Sequence, residues 1–157
     1  MLFRSAQHIP PAVYPSNVAV NYIRTWDASA PEIVPNTLMV RPLKDVRQTT
    51  QYLDGLGRPL QTVVKQGALA TGNTATDLVS PIEYDAFGRE QYKYLPFKST
   101  TGEGLFKFDP FVQQSAFYGN PNGILKGQGE NYFYSQTVFE ASPLNRIRKA
   151  SLRSGSG

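Results

Sequence analysis

Two short stretches carry the same polar signature. "DGLGR" runs from Asp54 to Arg58 and "DAFGR" from Asp85 to Arg89. Each sets a carboxylate four residues ahead of a guanidinium, with a glycine just before the arginine. Such a pair could hold an anion or a polar ligand, or it could be the chemistry of a turn. Asp suits the first position of a type I turn because its carboxylate accepts bonds from the backbone N–H groups ahead, and Gly suits the fourth, where left-handed backbone is cheap. A type I turn followed by a left-handed Gly closes many hairpins. Asp54, Gly57 and Arg58, and then Asp85, Gly88 and Arg89, therefore read as hairpin turns rather than ligand sites, each Arg bonded back to its Asp. A looser third copy is "FEASPLNR", where Glu140 precedes Arg146 and Asn145 takes the glycine's place; Asn is the next best residue for left-handed backbone. The first residues of the three turns are 31 and 55 positions apart. Recurrence suggests an internal repeat, but not a simple solenoid.

Other chemistry-bearing residues are sparse. His8 is the only histidine and there is no cysteine. That removes disulfides, thiolate metal sites and cysteine nucleophiles, and leaves no ligand set for an ordinary zinc centre. His8 sits in the Pro-flanked stretch "AQHIPP", with no nucleophile elbow in the chain, so a surface role is expected of it. Glu83 and Asp85 share a strand face. A glycosidase pair needs two carboxyls facing each other across about 5–10 Å; a solvated edge is expected here instead. The lone "GLG" lacks the spacing and the helix of a dinucleotide fingerprint. No enzyme activity, metal or cofactor is expected. Tyr92, Tyr94, Tyr132 and Tyr134 fall in strand-like stretches. They could stack on the apolar faces of sugars, but cross-strand aromatic packing is the stronger reading.

Strands must carry these residues. Tyr, Phe, Val and Thr alternate with Gly and Pro punctuation, a strand-and-turn composition. "NVAVNYIRTW" is largely apolar on both alternating sets and predicts a buried strand. Pro31 and Pro35 mark a connection, followed by a short strand near Met39–Pro42. Val46–Leu53 and Leu60–Lys65 predict a hairpin about the first turn. "LVSPIEYDAFGREQYKYLPF" predicts a second, with Glu90, Tyr92 and Tyr94 alternating against Gln91, Lys93 and Leu95. "DPFVQQSAFYG" predicts a short helix near 109–118, capped by Asp109, opened by Pro110 and closed by Gly119. "ALATGNTATD" and "GNPNGILKGQGEN" are loops, and "YFYSQTVFEASPLNRIRK" gives a strand, a break and the start of another. The fold class expected is mainly β, built of successive antiparallel hairpins with one short helix. It divides into an extended leading segment 1–16, a β domain 17–147 and a flexible tail 148–157.

Charge argues against one class of partner. The formal net charge is +4, but Arg146, Arg148, Lys149 and Arg153 lie together beyond the last acid. Before them acids and bases balance. The excess belongs to a tail rather than to a groove on a folded body, so nucleic acid is not expected. No apolar run approaches the ~20 residues that span a bilayer, and "MLFRSAQHIPPAVYP" lacks the apolar stretch of a signal peptide.

With these residues laid out, a resemblance appears. "YDAFGRE", with Tyr84 beside Asp85, resembles the Tyr-Asp (YD, or RHS) repeat, whose core is Tyr-Asp-x-x-Gly-Arg. "YLDGLGRP" is a variant with one residue between Tyr52 and Asp54. The wider series "NYIRTWDASAPE", "QYLDGLGRPLQTVVKQG", "SPIEYDAFGREQYKYLPF" and "FYSQTVFEASPLNR" resembles an uncharacterised domain near the front of large RHS-repeat proteins of Bacteroidota. The likeness covers roughly residues 5–147. It implies part of a hollow β-shell of stacked hairpins around a C-terminal toxin or effector, in a secreted or cell-surface protein. The partners implied are the shell repeats and the enclosed effector of the same polypeptide. The family's proteolytic motif lies further downstream, so no catalytic residue is carried over. After Arg146 the tail replaces the strands expected next, and a shell cut there would leave open edges that self-associate. The alternative is an adhesin-like β-module that binds a cell-surface glycan.

Overall fold

Alternating β-branched and aromatic residues build eight strands among the described residues, and the breaks between them decide which strands meet. The computed structural model describes residues 8–68, 74–123, 133–142 and 144–152. In chain order the strands are β1 (Asn21–Ala28), β2 (Val46–Leu53), β3 (Pro59–Ala68), β4 (Thr76–Pro81), β5 (Tyr92–Tyr94), β6 (Phe97–Lys98), β7 (Tyr134–Phe139) and β8 (Ile147–Leu152). One sheet runs β1-β2-β3-β4-β6 and the other β5-β7-β8. All pairings are antiparallel. A 3-10 helix, Pro35–Val40, and α1 (Pro110–Gly119) are the two helices among the described residues. The protein is mainly β.

One face of the larger sheet holds the core. Tyr52, Val63, Val79 and Phe97 are buried together, with Val20, Phe106, Phe117 and Tyr118 packed over them. Full burial of a side chain of this kind stabilises by about 1.5–3 kcal/mol. A smaller cluster joins the second sheet to α1 through Tyr94, Phe111 and Tyr134. The stretch between β6 and α1 has no regular structure, yet a buried ion pair fixes it over the core. Lys107 Nζ donates to Thr101 Oγ1 at 2.7 Å and to Glu103 Oε1 at 2.9 Å, and lies 2.8 Å from Asp77 Oδ2. Its three donors are thereby used. Asp77 also accepts from the backbone N–H groups of Gln66 and Gly104, and the Gln61 carboxamide pairs in both directions with the Lys107 backbone.

The two sheets part only away from the turns. Ile82 bridges Lys93, the Ile82 N–H donates to Leu60 O at 2.9 Å, and the Thr137 N–H donates to Gln91 O at 2.8 Å. Near the turns the ladder therefore runs unbroken from β1 to β8. Further on, β6 takes the place beside β4 that β5 would fill, through Leu78↔Lys98 and Val79↔Phe97. Pro96, between β5 and β6, cannot donate to a ladder and divides Tyr94 from Phe97. The arms expected to form a second hairpin thus diverge into different sheets.

Other expectations need correction. The strand expected to be buried begins only at Asn21 and is mostly exposed, because among the described residues β1 is an edge strand with a neighbour on one side only. The stretch expected as a strand near Met39 is the 3-10 helix; Pro35 opens it and Thr37 Oγ1 donates back to Val34 O. Asp109 precedes α1 without a side-chain cap bond to the backbone; its Oδ1 accepts instead from Gln113 Nε2 at 2.7 Å, and Gly119 is the helix's last residue. β8 reaches Leu152, so the strand continues into the segment read as a tail. It pairs there with β7 through Thr137↔Ala150 and Val138↔Lys149.

Candidate functional site: three coupled turns

The first two turns are near copies in atomic detail. The Gly57 N–H donates to Asp54 O at 3.0 Å and the Gly88 N–H to Asp85 O at 2.9 Å. Gly57 has φ 79 and Gly88 φ 74, the left-handed region. Asp54 Oδ1 accepts from the N–H groups of Leu56 and Arg58, both at 2.9 Å, and Oδ2 from Arg58 Nε at 2.8 Å. Asp85 repeats this with Phe87 and Arg89 at the same distances. Both carboxyls lie below the usual range. For Asp54 the Arg58 backbone N–H is the main cause. For Asp85 burial pushes the other way, but the Arg89 N–H and guanidinium outweigh it.

The third turn is longer but closes with the same backbone bond, which the Asp54 N–H makes to Arg58 O and the Asp85 N–H to Arg89 O, both at 2.9 Å. The Glu140 N–H donates to Arg146 O at 2.9 Å, and Asn145 sits at φ 54. Glu140 Oε1 accepts the Ser142 hydroxyl at 2.5 Å, while Arg146 Nε stays 4.0 Å away. Two more residues in the loop leave the guanidinium out of bonding range of its acid.

Arg58 and Arg89 also reach forward to the next turn. The Arg58 guanidinium lies 4.8 Å from the centre of the Tyr84 ring. The Arg89 guanidinium is held between two rings, 4.8 Å from Phe87 and 4.7 Å from Phe139. Its Nη1 donates to Glu140 O at 3.2 Å and Ser142 O at 3.4 Å. Strand spacing explains the reach. Successive turns are two strands apart in the unbroken ladder, roughly 9–10 Å, a gap that an extended arginine crosses. Arg146, at the end of this row, is mostly exposed.

The two tyrosines of the repeated pattern are not equivalent. Tyr52 is buried in the core, its hydroxyl donating to Gly104 O at 3.0 Å and its ring edge-on to Phe106. Tyr84 lies under Arg58 instead. One residue of offset from the Asp places them on opposite faces.

The aromatic residues of the second sheet face one another. Tyr94 and Tyr134 are buried, and Tyr94 packs edge-on to Phe111 and tilted to Tyr134. His8 stacks flat on Tyr92, centroids 3.6 Å apart at 11°. Tyr132 lies outside the described residues. His8 is therefore largely covered rather than a surface residue: its Nε2 is 2.8 Å from Glu83 Oε2 and 2.9 Å from Tyr94 OH, which itself donates to Glu83 at 2.6 Å. Burial first, and Glu83 second, push the Tyr94 hydroxyl far up. Glu83 is an acceptor inside this cluster and not a solvated edge, and Asp85 serves its own turn. Sequence reasoning missed this cluster and the Asp77–Lys107 pair. Both join residues far apart in the chain with no shared motif. The forward reach of the arginines did have a signal, the same Arg one place after each left-handed residue.

The model of the family "Domain of unknown function (DUF6443)" matches residues 24–153. The chain belongs to that family. The DUF6443 match takes in all three turns and starts inside β1. No curated protein matches the chain, and no solved structure does. Among the described residues no helix is long and apolar enough to cross a membrane.

Proposed function

We propose that this DUF6443 domain is a structural module, the leading part of an RHS/YD-type β-shell that encloses a C-terminal toxin or effector. The observation that carries this reading is the forward reach of Arg58 and Arg89. A ligand site would converge its polar groups on a space. These groups converge on the next turn, so that each of the first two units locks its own corner with a carboxylate and grips its neighbour with a guanidinium. Stacked units of this kind bury faces that none can bury alone. Of the tyrosines considered as a sugar platform, Tyr92, Tyr94 and Tyr134 are taken up by His8, Phe111 and each other, which favours packing over the adhesin-like alternative. The partners proposed are the further units of the same polypeptide and its enclosed segment, and secretion or surface display follows as part of the same proposal.

Limited proteolysis of the longest polypeptide encoded with this domain tests the reading. The C-terminal segment is expected to resist protease under conditions that digest the same segment alone. Equal cleavage of the two would overturn the enclosure.

A further inference from the structure

Away from the turns, the core face of the larger sheet changes character. Trp26 pairs with Gln48, and Thr49 with Val64, which brings Lys65 beside Gln48. These three side chains share the face that carries Tyr52 and Val63. Nearer the turns that face is roofed by the segment holding Phe106 and Lys107. The roof ends where the Gly104 backbone lies against Gln48 and Lys65. Beyond it Trp26, Gln48 and Lys65 floor an open cleft of about 390 Å³, walled by Met39 and Arg41 and bordered by Gln66. Gln66 sits at φ 48, a conformation uncommon for a residue with a side chain. A register shift in the β3–β4 ladder and the bond from its N–H to Asp77 Oδ1 hold it there.

The groups that meet here suit one kind of ligand. An indole offers a flat apolar face to the C–H face of a pyranose. Two carboxamides, Gln48 and Gln66, each carry donors and an acceptor for hydroxyls. Lys65 has no ion-pair partner among the described residues, and an ammonium takes a carboxylate in a charge-assisted bond. Arg41 is already paired with Glu32. A purely apolar ligand would leave Lys65 and both carboxamides desolvated and unbonded. A nucleic acid would find one uncommitted cation where it needs several. We infer that this cleft binds an acidic sugar, a uronic acid unit with its ring on Trp26 and its carboxylate on Lys65. The site stands apart from the three turns and does not depend on their stacking role.

Trp26 is the only tryptophan, so fluorescence excited at the long-wavelength edge where indole alone absorbs reads this cleft and not the tyrosines. The full chain is titrated with glucuronate, with glucose as a neutral control and acetate as a carboxylate without a ring. Glucuronate is expected to give a saturable change with Kd near or below about 1 mM, and glucose to bind at least about tenfold more weakly, the difference one bond to a charged group makes. Acetate is expected to give none. Lys65→Met should abolish the preference for glucuronate over glucose with far-UV circular dichroism unchanged. If that variant does not fold, the comparison of the three ligands on the unaltered chain decides. No saturable response to glucuronate up to about 10 mM, an equal response to glucose or acetate, or a preference that survives in a folded Lys65→Met chain would overturn the inference.

Discussion

Arg89→Ala should destabilise far more than Arg58→Ala, although the two arginines close matching turns. The difference lies in what each guanidinium touches beyond its own Asp. Arg89 is 12% exposed and Arg58 39% exposed. Truncating Arg89 removes the bond to Asp85, two bonds to the carbonyls of Glu140 and Ser142, and contacts with Phe87 and Phe139. Bonds to a charged group contribute about 1.5–3 kcal/mol, and a partly desolvated cation–ring contact about 0.5–2 kcal/mol. These terms are not additive, and a total near 3–4 kcal/mol is expected. For a chain of this length that lowers Tm by roughly 6–15 °C. Arg58→Ala loses one exposed ion pair and one ring contact, about 1 kcal/mol together, and should shift Tm by roughly 2–4 °C. Arg89→Lys keeps the charge but loses the planar fork, and should recover at most about half of the loss. Thermal and urea unfolding followed by circular dichroism read all three. Equal shifts for the two alanine variants, or a shift under about 3 °C for Arg89→Ala, would refute the forward grip.

Four further outcomes follow from the same contacts. Gly88→Val should destabilise more than Gly57→Val in urea unfolding: left-handed backbone costs each about 1–2 kcal/mol, but a Cβ at Gly88 meets Arg58 Nη1 at 3.1 Å while one at Gly57 meets nothing within 4 Å. Equal losses would sink the account of how the first two turns touch. Lys107→Met leaves the buried Asp77 carboxylate without its countercharge and should cost about 3–5 kcal/mol, part of it recovered by adding Asp77→Asn; a loss under about 1 kcal/mol would show that the pair does not hold the roof. In acid, the Glu103 carboxyl is held at about 2 against an ordinary 4.5, chiefly by its bond from Lys107. Its folded pKa is depressed, so its contribution is complete above about 4.5 and is lost as pH falls toward about 2. Glu103→Gln should flatten the Tm profile over that interval, and an unaltered profile would contradict the bond. Finally, among the described residues β1 is an open edge strand with Tyr22 and Ile23 exposed, and such edges pair with other chains. Light scattering should show association that rises with concentration; a monodisperse monomer that melts cooperatively would count against it.

What was legible in the chain was local. Asp-x-x-Gly-Arg sets its own backbone, so the corners at 54–58 and 85–89 could be read without knowing what lay beside them. Asn145 was legible for the same reason. Alternation predicted strands but could not tell an edge from a centre, because Tyr22 and Ile23 look alike whether or not a neighbouring strand covers them. Nothing local announced that Pro96 divides two sheets. The His8–Glu83 contact spans 75 residues, and such a pairing depends on where the sheets turn rather than on spacing. Trp26, Gln48 and Lys65 meet only through the register of three strands, so the cleft had no motif to betray it.

The most direct test is a cryo-electron-microscopy structure of the longest polypeptide that carries this domain. Arg146 closes the row of turns and is 73% exposed. The account predicts that in such a polypeptide its guanidinium lies over an aromatic ring of a following strand–turn–strand unit, within a closed β-shell. An Arg146 that still faces solvent, with no further units stacked beyond β8, would contradict it.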